Sequence, residues 1–318
     1  MTGDFSTMPT RADDGATLLA NLLTRCLFPA TPGTSGRPLP VVCAVSGGAD
    51  SSALLVLAAA HGLDVEAVHV DHGLRPGGAD EAAFVEALAG RFGCRFRAER
   101  IDVGEGPGLE ERCRDARRVV VGEGALTGHT LDDHAETVLW HLVRGSGLAG
   151  VSGISGRTHP LLGLRRADTH ALCAALDIVP VVDPTNQSTR FTRNRIRNEV
   201  MPLLSDVADR DAVPLLARFA EHARRDERFL DECSLAIDPT DARALNDAPA
   251  PLARRAVRRW LTNDHPDLHP PDAATVDRIL AVARLEARAT DVGGGRRVER
   301  RRQRLTLVPG DDRGASPS

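Results

Sequence analysis

Residues Ala44 to Gly62 read AVSGGADSSALLVLAAAHG, and this stretch decides the fold. The apolar run ending at Val45 suits a buried parallel strand, and the pattern from Asp50 to His61 is helical. Between them Gly47 and Gly48 make a tight turn that lets the backbone approach an anion and adopt φ > 0. The helix that follows offers free N–H groups and the positive end of its dipole at the same point. Ser46, Ser51 and Ser52 add hydroxyls around Ala49. A Walker-type loop would carry a lysine here, and this turn carries Asp50 instead. A carboxylate beside a phosphate is sensible when Mg²⁺ lies between them. A bare glycine turn with Asp50 or Ser51 as helix N-cap is the bland alternative. The complete string S-G-G-x-D-S, after a strand and before a helix, favours a phosphate site.

Outward from this turn, strands and helices alternate. VEAVHVDHG (65–73) and RFRAERIDV (95–103) read as strands, ALTGH (125–129) as a short one, and IVPVV (178–182) as another. Helical patterns fall over 78–93, stopped by Gly93, and over 108–121, 131–145 and 165–177. The glycine-rich run 145–160 reads as a loop. Such alternation predicts an α/β fold, a doubly wound parallel sheet with helices on both faces. Leu18, Leu19, Leu22, Leu23 and Leu27 predict a helix ahead of it. Residues 211–285 read as mainly helical, and RRVERRRQRLTLV (296–308) alternates like strands. The organisation expected is an unstructured lead-in (1–14), a catalytic domain (15–205), a smaller mainly helical domain (206–310) and a tail (311–318).

Composition narrows the classes. Net charge is −4 over 318 residues, so a nucleic-acid partner needs local basic faces. All 40 basic residues are arginine, so phosphate contacts rest on guanidinium, backbone N–H, hydroxyls or a metal. The six cysteines form no C-x-x-C pair, which disfavours zinc and iron–sulfur sites. No apolar run is long enough for a membrane span, and the polar N-terminus is no secretory signal. A cytoplasmic location is expected.

The S-G-G-x-D-S string resembles the PP-loop of the N-type ATP pyrophosphatases. With VHVDHGLRPGGADEAAFV, GLEERCRDARR, TGHTLDDHAETVLWHLVRGSGLAGVSGI and DPTNQSTRFTRNRIRNEVMPLL in that order, the chain resembles the bacterial tRNA(Ile)-lysidine synthetases. The likeness spans roughly residues 40–205; the C-terminal third looks like a short form of that family's helical tRNA-binding region. It implies that ATP adenylates the C2 oxygen of the wobble cytidine in a CAU anticodon. The ε-amine of free L-lysine then attacks C2, AMP leaves, and tRNA(Ile) carries lysidine.

The resemblance implies ATP contacts from Ser46, Gly47, Gly48, Ala49, Asp50, Ser51, Asp71 and His72, with Asp50 beside Mg²⁺. It implies catalytic roles for Asp50, Arg114, Arg117, His129, Asp133 and Glu136. At i, i+3, Asp133 and Glu136 share a helical face and can receive the lysine ammonium, drain its proton or hold Mg²⁺. Glu110, Arg114 and Arg117 share another, where arginines can stabilise phosphate charge. Asp183, Asn186, Arg193, Asn194 and Arg197 are expected at the substrate or tRNA, and the clusters Arg254–Trp260 and Arg296–Arg304 on its backbone. A homodimer is left open. The rival readings are a PP-loop tRNA-thiolating enzyme and a non-catalytic nucleotide-binding protein.

Overall fold

The computed structural model describes residues 11–29, 40–73, 78–104, 109–154, 156–182, 192–263, 265 and 271–310. They fall into two compact units, Met1–Glu221 and His222–Ser318.

In the first unit, helix α1 (Arg11–Leu23) precedes strand β1 (Pro40–Ala44), and α1 starts four residues ahead of the expected domain start. Helix α2 (Ala49–Ala60) leads to β2 (Asp64–Asp71), α3 (Gly78–Arg91) to β3 (Arg95–Arg100), and α4 (Leu109–Val121) back towards β1. The strands are parallel in the order β1-β2-β3. Leu126 then pairs in parallel with Cys43 on the free side of β1. The chain therefore winds one way from β1 through β3 and returns on β1's other flank. That reversal is a topological switch point, where α/β sheets place ligands beyond the strands' carboxyl ends.

Right-handed crossovers put α2 and α3 on one face of the sheet and α4 on the other. Leu54, Leu55, Val56 and Leu57 of α2 are buried on every side of the helix, in a core shared with β1, β2, α3 and the later residues Leu172 and Cys173. A helix apolar all round is one enclosed by its neighbours. Val121 and Ala125 form a smaller cluster against Val68 on the opposite face.

Helices α5 (Leu131–Val143), α6 (Leu148–Val151) and α7 (Arg166–Ala175) follow. After them come α8 (Thr192–Arg195), an i→i+5 turn over Ile196–Val200 and α9 (Met201–Val207). Two expected strands are reduced. ALTGH contributes a single bridged residue, with Leu126 N–H donating to Val42 and its carbonyl accepting from Ala44. IVPVV is not a strand: Pro180 has no N–H to give a ladder. Instead Val181 N–H donates to the Gly47 carbonyl at 3.0 Å, so this segment crosses the glycine turn.

Helix α10 (Ala212–Ser234) carries the chain into the second unit. That unit holds α11 (Ala242–Asp247), α12 (Ala250–Asn263), α13 (Ala273–Ala283) and an antiparallel sheet of β4 (Ala289–Gly293), β5 (Arg296–Arg301) and β6 (Arg304–Pro309). The alternating run 296–308 is thus a hairpin turning at Arg302 and Gln303, with Arg302 at φ 58°. Trp260, Ile279, Val298 and Leu305 share its core.

Candidate active site

A cavity of about 720 Å³ opens at the switch point, between the glycine turn after β1 and the residues after Leu126. That volume suits a cofactor or nucleotide. Gly47 sits at φ 87°, which only glycine adopts without strain, and a Cβ there would press within 3.1 Å of Val181. Ser51 Oγ lies 3.2 Å from Ser46 N and from Ser46 Oγ and donates to the Gly48 carbonyl, which fixes the curl of the turn. Gly48 caps α2 with extended geometry and no side-chain bond, so the helix N-terminus points at the cavity.

Asp50, in the first turn of α2, lines the cavity. Thr169 on α7 donates its hydroxyl to Asp50 Oδ1, and Arg166 Nε stands 3.7 Å from Oδ2. Burial raises the Asp50 pKa; Thr169, Arg166 and His170 oppose that shift, and Asp133 adds to it. Among the described residues no group of three His, Cys, Asp or Glu side chains could hold a metal. Of the acids that line the cavity, Asp133 is enclosed by arginines, and Asp50 beside the glycine turn fits Mg²⁺ held chiefly by phosphates and water.

Helix α5 presents its acids to three arginines. Asp133 is 6% exposed and Glu136 3%. Asp133 Oδ2 accepts from Thr130 N and Oγ1, both at 2.9 Å, closing a capping box. Its Oδ1 accepts from Nη2 of Arg166 (3.1 Å), Arg193 (3.0 Å) and Arg197 (3.0 Å). Glu136 Oε1 accepts from Arg166 Nη2 (3.1 Å) and Arg197 Nε (2.8 Å), and Oε2 from Arg193 Nε (3.3 Å) and Arg197 Nη2 (3.0 Å). Burial alone would raise the Asp133 pKa, but Arg193, Arg166 and the Thr130 amide hold it well below the usual carboxylate range. The pair is not a solvated acidic face; its acceptor sites are filled by guanidinium.

His129 follows Leu126 into the cavity. Its Nδ1 lies 2.8 Å from Thr127 Oγ1, and its ring packs 4.8 Å from that of His159. Burial pushes its pKa down to about 3; Asp133 opposes this, while Arg193, His159 and Arg117 add to it. The imidazole is neutral at physiological pH. Arg117 lines the cavity, as do His72, Asn194, Arg193 and Arg197.

Other expected residues lie elsewhere. Asp71 closes its own turn, accepting from Gly73 N at 2.8 Å and facing Arg100 Nε at 3.8 Å, and does not line the cavity. Arg114 is exposed and outside the lining. Asp183, Asn186 and the side chain of Glu110 fall outside the described residues.

Sequence reasoning missed Arg166, Thr169 and His170, which share one face of α7 at i, i+3, i+4 and meet Asp50 and the acid pair. A signal was present. Arg165 and Arg166 open a helix, where the dipole disfavours cations. The mismatch is resolved by acids on α5: Arg165 forks onto Asp132 at 3.1 Å and also meets Asp211, while Arg166 takes Asp133 and Glu136.

In the second unit most arginines of the basic clusters are committed internally. Arg254 pairs with Asp277 at 2.7 Å, and Arg255 forks onto Glu227 and reaches Asp231. Arg259 donates to Ser234 and to the Ile237 carbonyl, Arg300 to the Ala283 carbonyl, and Arg304 to Asp238. Among the described residues no helix is long and apolar enough to cross a membrane.

Residues 34–204 match the family described as PP-loop domain. The chain is 43% identical over 296 residues to the tRNA(Ile)-lysidine synthase of Nocardia farcinica, covering 86% of this chain and 92% of that one. It is 40% identical over 297 residues to that of Rhodococcus opacus, covering 86% and 90%. Among solved structures, a U34-tRNA thiolase from Methanococcus maripaludis superposes with a TM-score of 0.51 at 14% identity, over 66% of this chain and 80% of that one. At that identity the likeness is one of fold.

Proposed function

This chain belongs to the PP-loop tRNA(Ile)-lysidine synthase family, and we propose that the cavity at the β1 switch point carries out both of its chemical steps. The observation that carries this reading is the meeting of the Ser46–Ser51 turn, Asp50 and the Asp133–Glu136–arginine cluster around one cavity.

In the first step the C2 oxygen of the wobble cytidine in a CAU anticodon attacks the α-phosphorus of ATP. The bond to the β-phosphate oxygen breaks and pyrophosphate leaves. Backbone N–H groups of the turn and the α2 N-terminus, with the Ser46 and Ser51 hydroxyls, hold the phosphates in line. Arg117, Arg193 and Arg197 face the negative charge that builds there. Asp50 would hold Mg²⁺ against the phosphates, where the ion would neutralise charge on the departing pyrophosphate.

In the second step the ε-amine of L-lysine attacks C2, the C2–O bond breaks and AMP leaves with that oxygen. The amine must be neutral to attack. Asp133 and Glu136 seat it, and the arginines around Asp133 hold that acid ionised. His129, neutral and nearly enclosed, is too weak a base to take the ammonium proton; we assign it to holding the cytidine ring with His159. Asn194 beside Arg193 serves the same substrate. The second unit is assigned to the tRNA backbone, and the reaction to the cytoplasm.

Mass spectrometry of tRNA(Ile) incubated with the protein, ATP, Mg²⁺ and labelled lysine tests the reading. The tRNA should gain one lysine per CAU anticodon, with AMP and pyrophosphate released in step. Gain of sulfur without lysine would overturn it. Burial pushes the Cys43 thiol up to about 12 and the Cys173 thiol up to about 11, which suits inert core thiols rather than sulfur carriers.

A further inference from the structure

Asp133 Oδ1 receives three guanidinium donors within 3.1 Å, from Arg166, Arg193 and Arg197. A carboxylate oxygen has two lone pairs, so one of the three is surplus. Arg166 also faces Asp50 at 3.7 Å, so three arginines serve three acids and the crowding lies at the single oxygen Asp133 Oδ1.

The three arginines are not equivalent. Arg166 projects from α7, packed against α2, and its side chain is 23% exposed. Arg197 forks onto both Glu136 oxygens at 2.8 and 3.0 Å. Arg193 has the longest contact to Glu136, 3.3 Å, and the most exposed side chain of the three, 36%. It also lines the cavity next to His129 and Arg117, whose pKa values its charge lowers. If Arg193 leaves, Asp133 Oδ1 keeps two donors, Glu136 Oε1 keeps two and Oε2 keeps Arg197.

We propose that Arg193 is an exchangeable arginine that holds the amine seat of Asp133 and Glu136 until the substrate amine displaces it, and then turns to the phosphate group in the same cavity. The inference rests on the amine seat proposed above. It gives Arg193 two opposed effects: it competes with lysine for the acids, and it supports the anion during transfer. With Arg166 and Arg197 left behind, Asp50, Asp133 and Glu136 face two arginines, and the arriving amine fills the place that Arg193 held.

The test is steady-state kinetics of Arg193→Ala and Arg193→Lys, varying lysine with ATP and tRNA saturating, then varying ATP. For Arg193→Ala the KM for lysine should fall at least threefold while kcat falls at least tenfold; Arg193→Lys should lie between it and the wild type. A rise of the lysine KM together with the loss of kcat, or no change in either, overturns the exchange. Thermal melting accompanies each variant, and Arg193→Gln replaces the alanine variant if that does not melt cooperatively. Glu136→Gln, read alongside, should raise the lysine KM. An unmoved lysine KM in Glu136→Gln overturns the amine seat itself, whereas a raised one beside an unmoved Arg193→Ala overturns the exchange alone.

Discussion

Gly128 lies so close to Asp50 that a Cβ on it would stand 2.7 Å from the Asp50 carbonyl oxygen and 2.9 Å from Ser51 N. Gly128, two residues after Leu126, is thereby packed onto the first turn of α2, without a side chain between them. This contact sets the distance from the phosphate turn to His129 and to α5, so the spacing of the two halves of the site is built into one glycine.

Gly128→Ala should therefore damage the site and the fold together. The obstacle is backbone, which cannot swing aside, and overpacking of this kind costs about 1–3 kcal/mol. A lowered melting temperature with at least a tenfold drop in lysidine formation is expected. Wild-type values for both would show that the α2 N-terminus shifts freely.

Asp50 and Asp133 should respond oppositely to loss of charge. The Asp133 carboxyl is held below its usual 3.8 in the folded protein, so its contribution to stability is present above about pH 4 and is lost as pH falls through the depressed folded value. Asp133→Asn leaves Arg166, Arg193 and Arg197 short of a counter-charge; breaking a buried pair costs about 3–5 kcal/mol. In urea unfolding the gap to wild type should be full at pH 7 and pH 5 and shrink below pH 4. The Asp50 pKa is raised, so ionised Asp50 costs stability, a cost absent below 3.8 and fully present once pH exceeds its folded value. Asp50→Asn keeps an acceptor for Thr169, and it should abolish lysidine formation while melting at or above the wild-type temperature. A clear loss of stability in Asp50→Asn would contradict the sign.

His129 should show no protonation in the range where most histidines titrate. Its folded pKa, about 3, lies far below the usual 6.5. The sign follows: as pH falls below 6.5 the unfolded chain takes up a proton that the folded ring refuses, and stability is lost. NMR of the ring protons should remain that of neutral imidazole from pH 8 to pH 5. His129→Asn, which keeps a hydrogen-bonding group beside Thr127, should retain more activity than His129→Ala. A His129 titration near pH 6.5 would show a wetter site than the structure has.

The turn and the parallel sheet were legible because glycine spacing and strand–helix alternation are local properties. The acid pair was legible as i, i+3 on α5. What it touches was not, because Arg166 comes from α7, thirty residues after Glu136, through a loop and a short 3₁₀ turn at Pro160–Gly163. Asp71 sits at the ligand end of β2, and its side chain accepts from the backbone two residues on, a local turn that strand position alone does not reveal. IVPVV is strand-like in composition, and only Pro180 signals that it cannot join a ladder. The basic clusters of the second unit read as tRNA contacts until the acids of α10 and α13 appear opposite them.

Those clusters yield the last prediction, since committed and exposed arginines should separate in one experiment. Arg255 is fixed between Glu227 and Asp231, so Arg255→Ala leaves the partly buried Glu227 carboxylate without its guanidinium and should lower the melting temperature. Arg258 and Arg288 are exposed on the same unit. If the unit holds the tRNA backbone, Arg258→Ala and Arg288→Ala should weaken tRNA binding without changing the melt. Each lost phosphate contact should also lower the slope of log K against log salt by about 1. Binding titrations at several salt concentrations read both quantities. Unchanged affinity and slope in both variants would move the tRNA contact to another face, because an exposed guanidinium on the binding surface cannot be removed without releasing fewer counterions.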